Sequence, residues 1–164
     1  MTTIPEHGTS RPLDDSWTPL VKVLSAMITF APSHVVLQVH TAYDVGCGPY
    51  VQTQQEEDGA LHAEAVSNKF ADPPIGPDAM NTLREMGWNL PNEDVPNFHR
   101  RIEANAVRPE DVASLLLRTL RDAYLITPSN EFECGPHDLC DAIVQGEFGS
   151  VPILGLRILG TAEG

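Results

Sequence analysis

The sequence predicts an α+β domain in which an antiparallel β-meander packs against amphipathic helices, in the order α-β-β-β-α-β-α. Two segments, Leu20 to Ile28 and Val112 to Tyr124, repeat apolar residues at helical spacing. Three segments between them alternate apolar and polar residues with the period of a strand. The connections between those strands are short, and one carries Asp58-Gly59, a strong tight-turn signal, so neighbouring strands run antiparallel.

Each element has a local reason. Asp14 and Asp15 place negative charge where a helix N-terminus favours it. Ser16 or Thr18 can cap, and Pro19 fits a first turn. Leu20, Val23, Leu24, Met27 and Ile28 then form one stripe, and Pro32 ends the helix. Ser33 to Thr41 is the first strand, with Val35, Leu37 and Val39 on one face. Tyr50 to Glu56 is the second, and Leu61 to Asn68 the third. Gly76-Pro77-Asp78 starts a short helix that stops at Gly87. Asn97 to Glu103 alternates Phe98, Arg100 and Ile102 with His99, Arg101 and Glu103, as a fourth strand would. Pro109 opens the last helix, whose stripe is Val112, Leu115, Leu116, Leu120, Ala123 and Tyr124. Arg118, Arg121 and Asp122 are assigned to its wet face.

The 164 residues suffice for one domain with its own core. Residues 1–15 read as a disordered N-terminal arm, 16–126 as the α+β domain, and 127–164 as a loosely structured extension. Within that extension Val151 to Leu159 is apolar, but Pro152 and Gly155 make it a poor interior strand.

A net charge of −13, from 23 acids against 10 Lys and Arg, repels phosphate backbones and anionic lipid. Nucleic acid and membrane insertion are therefore not expected, and no apolar run approaches the ~20 residues of a spanning helix. Met1 to Leu13 lacks the apolar core of a signal peptide, and the odd set Cys47, Cys134 and Cys140 suits a reducing compartment. Cytoplasmic residence is the expectation.

Candidate chemistry is sparse. Gly46-Cys47-Gly48 is followed by Pro49 and no helix, so it reads as a turn and not a phosphate loop. Cys134, His137 and Cys140 are metal-ligand residue types at close spacing, but the second half of a zinc site is missing. They read as weak metal candidates; no cofactor and no catalytic residue is expected. Binding surface is better represented. The outward face of the sheet carries Val36, Tyr50 and Val66 among Gln38, Gln52, Gln54 and His62. Glutamine side chains donate and accept, so they can meet a peptide backbone. These residues form the candidate peptide-binding site.

A resemblance agrees with this reading. Tyr50-Val51-Gln52 with Gln54, the turn at Asp58-Gly59, the strand from Leu61 to Asn68, Leu83 with Gly87-Trp88, Asn97-Phe98, and the Val112, Leu116, Leu117, Leu120 helix follow one another in a familiar order. In this the chain resembles the TY-Chap domains of actinobacteria, relatives of the YbjN proteins and of type III secretion chaperones of the CesT class. The resemblance spans about Trp17 to Leu125. It implies a chaperone-like fold that binds an extended or unfolded segment of a client polypeptide or secreted protein. It also implies a homodimer, and it supplies no catalytic residues. The alternative class is an immunity or adaptor protein that covers one folded basic partner. A third is a Cys/His metal protein built on the extension.

Overall fold

The computed structural model describes residues 11–30, 34–39, 49–69, 74–103, 106–128, 132–135 and 156–158. The Asp14 carboxylate accepts the Ser16 backbone N–H at 3.0 Å, satisfying a donor that a helix start leaves open. The cap sits earlier than the expected Ser16 or Thr18 because one 3₁₀ turn, Asp15–Trp17, precedes the helix and buries Trp17. Helix α1, Thr18–Phe30, then buries Leu20, Val23, Leu24, Met27 and Ile28, the whole expected stripe.

Strands β1 (His34–Val39), β2 (Tyr50–Gln55) and β3 (Leu61–Ala65) form the antiparallel meander. Val35 opposes Thr53, which opposes Ala63; Leu37 opposes Val51, which opposes Ala65. All six are buried. At the β2–β3 turn Gly59 has φ 88°, a left-handed value that costs glycine nothing, and Asp58 Oδ1 accepts the Ala60 N–H at 3.0 Å. β3 ends at Ala65, short of the expected Asn68. The Ser67 N–H goes to Asn97 Oδ1 at 3.0 Å and its hydroxyl to the Pro96 carbonyl at 2.6 Å, so the chain leaves the ladder there.

Helix α2, Pro77–Glu85, has Pro77 at its first position and ends at Gly87, φ 93°. The Trp88 N–H returns to the Leu83 carbonyl at 3.0 Å, and both side chains are buried. β4, Phe98–Ile102, pairs antiparallel with β3, as the alternation of this segment predicts. Helix α3, Pro109–Ala123, buries the expected Val112, Leu115, Leu116, Leu120 and Ala123. Arg118 departs from the expectation: it is 7 % exposed, not on a wet face. α3 packs against α1, α2 and β2, so more than one stripe is covered and Ala113, Leu117 and Thr119 are buried as well.

Two further strands extend the sheet. β5, Phe132–Gly135, lies antiparallel to β1, and β6, Leu156–Ile158, lies parallel to β5. The order among the described residues is β4-β3-β2-β1-β5-β6. β6 begins after Gly155 and lies at the sheet edge, where Gly and Pro nearby are tolerated. Ahead of α1, residues assigned to the N-terminal arm meet α3: the Arg121 guanidinium donates to the Pro12 carbonyl at 3.0 Å and the Arg11 carbonyl at 2.5 Å.

The core lies between the inward sheet face and the helices. Leu24→Ala or Leu116→Ala is expected to cost about 2–5 kcal/mol in urea unfolding, as a filled site becomes a cavity. Thr53 is fully buried and its hydroxyl has no partner among the described residues. Thr53→Val is therefore expected to raise stability by about 1 kcal/mol. A loss from Thr53→Val, or leucine costs below about 1 kcal/mol, would show the inward face to be misplaced.

Candidate functional site

Burying Val51, Thr53, Ala63 and Ala65 on the helix side turns their neighbours outward. Strand register then brings the outward residues into rows. Val36, Gln52, Glu64 and His99 stand opposite one another across β1 to β4. So do Gln54, His62 and Arg101 across β2 to β4. Gln54 and Arg101 are exposed; Val36, Tyr50, Gln52, His62, Glu64 and His99 are half-buried.

The predicted site residues divide accordingly. Val36, Tyr50, Gln52, Gln54 and His62 all lie on or beside this face. Gln38 pairs through its backbone register with Tyr50 on one side and Glu133 on the other. Val66 is a correction: it follows the end of β3 and is 0 % exposed, so its side chain offers no surface to a ligand. Its backbone is used instead, the N–H donating to the Tyr50 carbonyl at 3.1 Å and the carbonyl accepting the Tyr124 hydroxyl at 2.6 Å. Burial pushes the Tyr124 phenol well above its ordinary pKa, so it stays a neutral donor at any physiological pH.

A polar network organises the face. Asn97 is buried, and its Nδ2 donates to the Tyr50 hydroxyl and to Glu64 Oε1, both at 2.9 Å. Its Oδ1 accepts from Ser67, so one side chain joins β2, β3 and the entry to β4. Glu64 Oε2 meets His62 Nε2 at 3.0 Å, and the His62 ring stacks on His99 with centroids 6.1 Å apart. At the far end Arg101 gathers Glu56 at 2.5 Å, Glu103 at 2.9 Å and Asp58. The Ala60 N–H and then Arg101 hold the Asp58 carboxyl below the usual range. These contacts leave a surface of amide, imidazole, phenol and carboxylate groups on rigid strands, suited to hydrogen bonding with an extended chain.

Residue-type reasoning did not select Asn97, Glu64, His99 or Arg101. The alternation of the fourth strand carried the signal for His99 and Arg101; the pairing of β4 with β3 brings them to the face. It also did not select an apolar cleft of about 710 Å³ beside the end of β3. Met80 of α2, Leu90, Pro91, Pro96 and Phe98 line it. Leu90 is 47 % exposed. Of the weak metal candidates, Cys134 lies in β5 opposite Leu37, while His137 and Cys140 lie outside the described residues. Among the described residues no group of three His, Cys, Asp or Glu is placed to hold a metal ion. No helix among them is long and apolar enough to cross a membrane.

A family model described as TY-Chap3, T3SS (YopN, CesT) and YbjN peptide-binding chaperone 3, matches residues 10–133. No curated protein and no solved structure matches the chain.

Asn97→Ala is expected to cost about 2–3 kcal/mol in denaturant unfolding, because it orphans the Ser67 N–H and loosens two strands at once. Gln54→Ala, on the exposed end of β2, is expected to stay within about 0.5 kcal/mol. Equal costs at the two positions would contradict the network.

Proposed function

Since the chain belongs to the TY-Chap3 family of peptide-binding chaperones, we propose that it holds an extended or unfolded segment of a client polypeptide against the outward face of its sheet. The observation that carries this reading is the face itself: Tyr50, Gln52, Gln54 and His62 aligned in register on paired strands, with exposure left to meet a ligand. An extended client has unpaired N–H and C=O groups along its length, and side-chain amides satisfy either kind. The reading assigns no catalysis and no cofactor. It places the protein in the cytoplasm, acting before a client folds or is exported, and as a homodimer in keeping with the secretion chaperones it resembles. The net charge of −13 keeps client-bound protein dispersed and favours clients that are basic or apolar.

The test is suppression of aggregation. The purified full chain is mixed with a reduced, carboxymethylated model polypeptide diluted from denaturant, and light scattering is followed. The reading expects scattering to fall as chaperone is added. It also expects a variant joining Gln52→Ala and Gln54→Ala to lose most of that effect while melting as the parent does. Unchanged scattering, together with sub-nanomolar binding of a single folded partner, would favour an immunity or adaptor role instead.

A further inference from the structure

The apolar cleft beside β3 is not explained by the polar face, and its rim carries an unusual charge. Several guanidinium groups among the described residues are already engaged. Arg101 is held by three carboxylates, Arg108 by Asp111, Arg121 by Asp122, and Arg100 donates to the Met86 carbonyl at 2.9 Å. Arg84, on the last turn of α2, is exposed, and its guanidinium has no hydrogen bond or ion pair among the described residues. Its side chain lines the cleft, as do Lys69 and Glu93. The apolar floor of Met80, Leu90 and Phe98 lies beside it.

An apolar floor with an unengaged guanidinium at its edge is complementary to an aliphatic side chain followed by a carboxylate. We propose that this cleft is a specificity pocket that anchors client segments in which one or two large aliphatic residues precede an Asp or Glu, the carboxylate pairing with Arg84. The proposal rests on the peptide-holding reading and adds selectivity to it. The sheet face bonds main chain of any sequence, and the cleft selects where along a client the protein settles. A carboxylate is otherwise disfavoured near so acidic a chain, so pairing with the Arg84 guanidinium gives register as well as affinity. Arg84 also suits the negative end of the α2 dipole, but that role alone would be satisfied on any face of the last turn.

Fluorescence anisotropy with the full chain tests it. The probes are labelled Gly/Ser peptides carrying Leu-Leu-Glu, Leu-Leu-Gln, Leu-Leu-Lys or Ser-Ser-Glu at the centre. The expected result is that the Leu-Leu-Glu peptide binds about three- to fivefold tighter than the glutamine form, the scale of an exposed ion pair. Arg84→Glu should reverse the order and favour the lysine form. Leu90→Asp, or the Ser-Ser-Glu probe, should weaken binding about tenfold. Both substitutions are at exposed positions, so the fold survives them. Equal affinities across the charge series, or no response to either variant, would overturn the pocket and leave peptide holding intact. If no probe binds while aggregation is still suppressed, the pocket also falls and the sheet-face reading stands. If no probe binds and aggregation is not suppressed, both fall.

Discussion

Contact between the α1–α3 pair and the inward residues of β1, β2 and β3 fixes the register of the sheet, and the outward face follows from that register. Val35, Leu37, Val51, Ala63 and Ala65 join Leu24, Met27, Leu116 and Leu120 in one buried cluster, and Thr53, between Val35 and Ala63 in register, is buried on the same face. A slip of one residue in β2 would place Gln52 and Gln54 in that cluster and Val51 in water. Their desolvation would be large and uncompensated. The alignment of Tyr50, Gln52 and Gln54 with Glu64 and His62 is thus a consequence of the core, not an independent design.

Asn97 links the core to the face. Strand ends splay unless something holds them, and β3 is short. One buried amide bonds to β2, to β3 and to the chain leaving β3. Tyr124, at the end of α3, holds the same corner from the helix side through the Val66 carbonyl. The corner where the polar face meets the apolar cleft is therefore cross-linked from both the sheet and the helix side. A binding surface held this way loses little conformational freedom when it takes up a ligand.

Much of this was legible in the residues. The helical stripes, the three alternating strands, the Asp58-Gly59 turn and the weaker alternation at Phe98 to Ile102 each map to an observed element. What escaped has physical causes. β5 is four residues, too short for its Phe-Glu-Cys alternation to stand out, and it pairs with β1. Arg118 looked solvated because helical period reports one apolar stripe, whereas α3 is covered from several sides. Val66 continues the outward alternation in sequence, but the strand ends before it. Asn97 stands in the sequence as the start of the fourth strand and in the Asn97-Phe98 pair, but its role comes from partners 30, 33 and 47 positions away. The cleft likewise joins α2 to the loop before β4, which only the fold brings together.

Recognition by the outward sheet face is the central claim, and amide NMR reads it most directly. Titrating the ¹⁵N-labelled full chain with an unfolded model polypeptide should shift the side-chain amides of Gln52 and Gln54 and the backbone amides of His62, Glu64 and His99. Resonances of Leu24 and Met27, on the far side of the core, should stay in place. Shifts confined to exposed helix residues, with both glutamine amides unmoved at saturation, would contradict the account.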